Sequence, residues 1–213
     1  VDEAVLHEIR RVLAPEPDTT VTARRRAAPL GPPAPEIGAL LRWAARTVAA
    51  RAVVEVGAVG GVSGAWLLPE LPPRGVLTSI EADAHAHALA TDAFEAMAAG
   101  SSVRSIHGDP LTVLGRLSDA AYDLVVLQSR PAVSPVLLDH ARRLLRPGGM
   151  LVIRGVLRGG DEADDVAASL QVLSEDEAFT ATLLPIDRGL LLATRLDTTQ
   201  ALGPATTAET SGA

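Results

Sequence analysis

Apolar positions along the chain fall into two alternating rhythms. Val5, Ile9, Val12 and Leu13 recur at helical spacing, as do Ile37, Leu40, Leu41 and Ala44 further on. The run Arg51-Ala-Val-Val-Glu-Val-Gly57 is short, apolar and closed by glycine, which predicts a buried strand. A helix opens at Gly61 and stops at Pro69, since proline has no N–H to continue the ladder. Further strands are predicted over 75–80, 103–106, 122–127 and 150–156. Helices are predicted over 84–100, around 111–117, and over 136–145, the last closed by Arg146-Pro-Gly-Gly149. Strands alternating with helices through short connections specify a parallel sheet covered on both faces. The ending departs from this. After an acidic helix over 161–177, Phe179-Thr-Ala-Thr-Leu-Leu184 and Gly189-Leu-Leu-Leu-Ala-Thr194 flank Pro185-Ile-Asp-Arg188. That pattern predicts a β-hairpin, and so an antiparallel addition that brings the sheet to seven strands.

Three regions follow. Residues 1–35 carry a helical segment and then Pro15, Pro17, Pro29, Pro32, Pro33 and Pro35, which predicts an irregular arm or short helices. Arg24, Arg25 and Arg26 within it read either as a phosphate contact or as a solvated face. Residues 36–196 form the α/β domain. The Thr-, Ala- and Gly-rich stretch 197–213 is expected to be disordered.

Composition narrows the chemistry. The 213 residues suffice for one α/β domain with a sizeable core. A net charge of -7 argues against broad binding to nucleic acid or anionic membrane. No apolar run approaches the ~20 residues of a membrane span. No signal-peptide pattern opens the chain, so a cytoplasmic protein is expected. There is no cysteine, lysine or asparagine, and all 19 basic side chains are arginine. Disulfides, thiolate nucleophiles, Schiff bases and lysine bases are therefore excluded.

In such a sheet, ligands bind beyond the carboxyl ends of the strands, where strand order reverses. The first such end reads Glu55-Val-Gly57-Ala58-Val-Gly-Gly61-Val-Ser63. Glycines there let a ligand approach the backbone. It is not the dinucleotide fingerprint, because Gly57 is followed by two non-glycine residues. A carboxylate at Glu55 would repel a pyrophosphate but suits an ammonium or sulfonium, which favours S-adenosylmethionine over NAD. Glu81, ending the second strand, reads as an acceptor for ribose hydroxyls or as an ordinary acid at a helix start. Asp109, before Pro110, reads as an adenine contact, as a helix N-cap, or as both. Of the histidines only His107 lies at a strand end, on the adenine side or toward solvent.

These segments in order resemble the bacterial catechol O-methyltransferase-like family, most closely its actinobacterial branch of O-methyltransferases. The likeness is carried by Glu36-Ile-Gly-Ala-Leu-Leu, Val-Glu-Val-Gly57, Gly61-Val-Ser63-Gly and Leu77-Thr-Ser-Ile-Glu81. Tyr122-Asp-Leu-Val, Leu144-Leu-Arg-Pro-Gly-Gly149 and Leu183-Leu-Pro continue it, so that it spans about 36–196. The resemblance implies a Rossmann-like class I methyltransferase fold, mostly parallel, with an antiparallel hairpin at its C-terminal end. It implies S-adenosylmethionine as cofactor, held by Pro33, Glu55, Gly57, Ala58, Gly61, Ser63, Glu81, Asp109, Pro110 and Gln128. It further implies a small-molecule acceptor and a homodimer.

The resemblance fails at two strand ends. Metal-dependent relatives end the fourth strand Asp-Ala-Asp-Lys and the fifth Asp-Asn, which supply a divalent cation site and a lysine base. Here the fourth ends Gln128-Ser129-Arg130-Pro131 and the fifth Arg154-Gly155. Mg²⁺ takes oxygen ligands, and arginine is a permanent cation, so no metal is expected. Gln128 and Arg154 become the candidate catalytic residues, and Gln128, Arg130 and Arg154 the candidate acceptor contacts. Arg154, helped by Arg130, would hold an anionic oxygen that needs no base. The competing reading is that Arg154 pairs with a nearby acid. The expected activity is metal-independent methyl transfer to oxygen; the alternative is a degenerate protein that binds S-adenosylmethionine or S-adenosylhomocysteine without transfer.

Overall fold

The computed structural model describes residues 3–128, 134–157 and 163–197. Seven strands form one sheet in the order β3-β2-β1-β4-β5-β7-β6. They are β1 Ala52–Val56, β2 Val76–Glu81, β3 Val103–His107, β4 Tyr122–Leu127, β5 Leu145–Arg154, β6 Phe179–Leu184 and β7 Leu190–Arg195. The first five are parallel, and β7 runs antiparallel to both β5 and β6, as the hairpin pattern predicts. Strand order reverses between β1 and β4, both of which are almost wholly buried.

Side-chain alternation along β1 assigns each residue to a layer. Val54 and Val56 face a core completed by Leu137, Leu138, Ala141 and Leu144 of α7 (Pro135–Leu144). Val53 faces the opposite core, with Ile37, Leu41 and Ala44 of α3 (Pro35–Thr47). That second layer also holds Leu67 of α4 (Val62–Leu67) and Ala90 and Phe94 of α5 (Ala84–Ala96). Glu55 shares its face with Val53, and so points toward α4.

The arm is more regular than its prolines suggest. α1 (Glu3–Leu13) and α2 (Asp18–Arg26) are full helices, joined through a 3-10 turn at Ala28–Leu30 to α3. Pro17 sits just before α2, and Pro35 opens α3, positions where the missing N–H leaves no bond unmade. Ala14, Ala23 and Ala27 pack with Val62, Trp66 and Ala93 in a third cluster, so the arm is fastened to α4 and α5. A second difference is at Arg146-Pro-Gly-Gly149, expected as a helix stop. These residues lie inside β5, with a register irregularity opposite Tyr122 and Leu124. The helix expected around 111–117 is shorter, α6 (Pro110–Leu114), and the acidic helix is α8 (Ala163–Glu175). The stretch 198–213, expected to be disordered, lies outside the described residues.

Candidate functional site: a cleft at the strand-order reversal

The backbone ladder runs one residue past several strands and brings their ends level. Gly57 N donates to Ile80 O (2.9 Å), Gln128 N to Val56 O (2.8 Å), and Gly108 N to Glu81 O (3.0 Å). Beyond these ends lies a cleft of about 570 Å³. Gly57, Glu81, Asp109, Pro110 and Gln128 line it, five of the residues expected to hold the cofactor. Gly57 has φ +84°, which lets the chain turn away at the cleft floor.

Beneath that floor is a buried polar network. Glu55 is 0% exposed, and its carboxyl accepts from Ser63 Oγ (2.6 Å) and Ser79 Oγ (2.7 Å). Burial pushes the Glu55 carboxyl up to about 7; the two hydroxyls oppose this, and the charge of Glu81 adds to it. Gln128 Nε2 donates to Ser63 Oγ (2.8 Å) and to the Gly57 carbonyl (3.3 Å). Its other atom, Oε1, is buried without a hydrogen-bond partner. Gln128 is 5% exposed and lines the cleft, so the buried network, with this one acceptor unsatisfied, reaches the cleft wall through that residue.

The other five residues expected to hold the cofactor do not line this cleft. Glu55 and Ser63 support the loop from below rather than lining the cleft, because their faces of β1 and α4 point into the α3-side core. Ala58 is 1% exposed and belongs to that same core. At Gly61, with φ +81°, a Cβ would lie 2.9 Å from Ala93 Cβ and 3.0 Å from Ala90 Cα. Its glycine therefore serves the contact with α5. Pro33 lines a different cavity, on the arm.

Glu81 Oε1 accepts from Asp83 N (3.1 Å) and the residue remains half-buried at the cleft wall. Asp109 is the N-cap of α6: Oδ2 accepts from Thr112 N (2.8 Å) and Thr112 Oγ1 (2.7 Å), which holds its carboxyl below the usual range. His107 is exposed, with Nε2 3.1 Å from the Ala82 carbonyl oxygen.

Arg154 is placed as its competing reading has it, paired with a nearby acid. It is 6% exposed, and its guanidinium is paired with the Asp187 carboxylate through Nε and through Nη2 (3.1 Å). Nη1 donates to the Gly31 carbonyl (3.0 Å) and Nη2 to that of Pro32 (3.2 Å). Each of its three nitrogens is engaged by the Asp187 carboxylate or by a backbone carbonyl, so none is left uncommitted for an acceptor anion. Asp187 was not singled out by sequence reasoning. Its signal lies in the hairpin turn, where Asp187, Arg188 and Gly189 have φ of +46°, +64° and +88°. Ser79 was also missed, although it is the register partner of Glu55 across β1 and β2. Arg130 lies outside the described residues.

A cleft at the strand reversal, with an acid at the end of β2, is a site that many folds can use. The profile of the O-methyltransferase family matches residues 11–196. The chain belongs to this family. A Mycobacteroides abscessus protein that carries an O-methyltransferase name is 43% identical over 192 residues, covering 84% of this chain and 89% of that one. The Streptomyces achromogenes O-methyltransferase TomG, involved in tomaymycin synthesis and solved with S-adenosylmethionine, superposes with a TM-score of 0.80. It is 26% identical, with 91% of this chain and 96% of that one covered. A Bacillus cereus O-methyltransferase solved with S-adenosylhomocysteine shares the fold, with a TM-score of 0.82 at 21% identity, over 90% and 97% of the two chains. Family membership extends over the arm as well as the sheet, since the match begins within α1. Among the described residues, no helix is long and apolar enough to cross a membrane.

Proposed function

We propose that the protein is an S-adenosylmethionine-dependent methyltransferase acting on an oxygen of a small molecule, without a metal ion. The observation that carries this reading is the 570 Å³ cleft at the β1–β4 reversal, bounded by Glu81, Asp109 and Gln128. Pockets of this size suit a nucleoside-sized ligand. Glu81 would accept the ribose hydroxyls, and Asp109 with Pro110 would flank the adenine. Gly57 would admit the backbone-facing edge of the ligand. Gln128 Oε1 would take an N–H or O–H, which removes the cost of a buried acceptor left bare. Glu55, Ser63 and Ser79 fix Gln128 and the loop.

Bound S-adenosylmethionine supplies an electrophilic methyl on a sulfonium. The residues present would position rather than activate: a cleft that holds donor and acceptor in line would supply most of the acceleration in such a displacement.

The divalent cation of metal-using relatives does not fit the residues found here. Gln128 turns its amide donor toward Ser63 and Gly57, and Arg154 is a cation already paired with Asp187. A phenolic hydroxyl with a pKa near ~10 would then ionise little at neutral pH, which favours acceptors that are already anionic. One observation favours the alternative of a cofactor-binding protein without transfer: the cation expected to hold the acceptor is spent on Asp187. A small-molecule acceptor and a second copy of the chain complete this reading, with cytoplasmic residence and no nucleic-acid or membrane partner.

The test is a transfer screen with methyl-labelled S-adenosylmethionine over hydroxylated and carboxylated small molecules, with EDTA or with Mg²⁺. Label transfer unchanged by EDTA is expected. Transfer that requires Mg²⁺ would overturn the metal-independent reading. Tight binding of S-adenosylhomocysteine with no transfer to any acceptor would select the alternative, and binding of NAD in preference would end both.

A further inference from the structure

A second cavity lies apart from the cleft. It measures about 890 Å³ and lies between the arm helices and the hairpin turn. Its size falls within the range of small-molecule sites. In a chain with 26 acids and 19 arginines, four arginines gather here, three of them paired with acids: Arg10 with Glu36, Arg11 with Glu8 and Arg24 with Glu16. Arg10, Arg11, Arg24 and Arg25 face it together with His7. Glu16 and Asp187 are the acids among its described lining residues.

The wall is built rather than loose. Arg10 Nε donates to Glu36 Oε1 (2.7 Å), tying α1 to α3, and Arg24 pairs with Glu16 ahead of α2. Arg154, behind the cavity, holds Asp187 and the carbonyls of Gly31 and Pro32. The hairpin turn that presents Asp187 is itself braced, with Leu157 N donating to Arg188 O and Gly155 N to Gly189 O (both 2.7 Å). Strained backbone persists where its surroundings over-determine it. Against this fixed frame, two cationic groups keep donors in reserve. Arg25 has no acid partner among the described residues, and Arg10 commits only Nε, leaving both Nη atoms. A fork of N–H donors in a concave wall matches the oxygens of a carboxylate or phosphate.

We propose that this arm cavity is a second ligand site, which takes a small molecule bearing a carboxylate or phosphate group through Arg25 and the free Nη donors of Arg10. The site is separate from the cofactor cleft. The two are divided by the turn after α2, whose Leu30 lines the cleft while Ala28, Pro32 and Pro33 line the arm cavity. An anion seated there would lie against the wall that bounds the cofactor.

Calorimetric titration of the full chain tests this with three probes of similar shape: benzoate, phenyl phosphate and uncharged benzamide. Arg25→Glu is compared with Arg116→Glu, which makes the same charge change on an exposed arginine outside the cavity. Binding of at least one anion, with benzamide inert, is expected; which anion binds tells carboxylate from phosphate. Arg25→Glu should weaken that binding by about tenfold or more, the loss of a charge-assisted contact, and Arg116→Glu should not. Equal binding of benzamide, no binding of either anion, or equal effects of the two variants would overturn the proposal. S-adenosylmethionine titrated into the same samples reads the cofactor cleft independently, so failure of one site is distinguishable from failure of the other.

Discussion

Glu55 shows how one residue can be placed by the sequence and given its role by its surroundings. Its position before Gly57 is unmistakable in the sequence, and its charge suggested a ligand contact. The alternation of β1 turns it instead under the loop, where two hydroxyls and no cation meet it. Its carboxyl, at about 7, stays protonated in the folded protein well above the ~4.3 of an unfolded chain. The folded state then binds the extra proton between these values, so the stability from this group is full below ~4.3 and is lost as pH rises to about 7. At roughly 1.36 kcal/mol per unit, a shift of this size changes stability by about 4 kcal/mol across the window. Glu55→Gln should flatten that slope and leave the variant more stable than the parent at pH 8. Urea melts at pH 5, 6.5 and 8 would show it; parallel slopes for the two proteins would contradict the assignment. Glu81 predicts the opposite pattern. Its one hydrogen bond is to Asp83 N, so Glu81→Ala should barely move the melting temperature. If Glu81 holds the ribose, the same change should weaken S-adenosylmethionine by roughly tenfold or more in a titration.

At the scale of elements, the glycine loop and the hairpin turn each serve a packing duty that their sequence motifs do not disclose. Gly61 reads as a ligand-facing glycine, but it is the point where α4 starts against α5. Gly61→Ala places a methyl 2.9 Å from Ala93 Cβ on a backbone with φ +81°. A loss of about 2 kcal/mol is expected, visible as a lower denaturation midpoint even without ligand. The β6–β7 turn presents Asp187 to Arg154, which joins the end of β5 to the arm. Arg154→Ala would leave Asp187 and two carbonyls without their donor, and should cost about 3 kcal/mol. Arg154→Lys should recover only part, because an ammonium cannot reproduce a planar fork that spans a carboxylate and two carbonyls. If instead Arg154→Ala kept full stability and lost acceptor binding, Arg154 would be an anion receptor rather than a brace. Helix and strand types were legible from the sequence because periodicity is local, and the hairpin over 179–194 is found where its pattern places it. In the arm the prolines left irregular chain and short helices both open; α2 is such a short helix, and its place comes from Ala23 and Ala27 packing on Val62 and Trp66 rather than from its own pattern.

For the whole molecule, the arm and the sheet behave as one body, since α2 and the turn after it are held by α4, α5 and Arg154 together. Ligand in the cleft should therefore stabilise the entire chain in one transition. At a hundredfold excess over its dissociation constant, S-adenosylmethionine would add about 2.7 kcal/mol and raise the single melting midpoint. Two separate transitions, with only one moved by ligand, would show that the arm folds apart. The sequence by itself determined the order of elements, the parallel sheet with its antiparallel end, and the strand ends at which chemistry gathers. It also determined what is missing, since no lysine or asparagine stands anywhere in the chain. Each of these depends on periodicity or on composition, which are properties of neighbouring residues. Tertiary structure alone decided that Glu55 supports the loop and that Arg154 binds Asp187. It also gathered the arm's arginines around a cavity. Those roles depend on partners 8 to 123 residues away, and only the folded chain fixes their distances and the water they exclude.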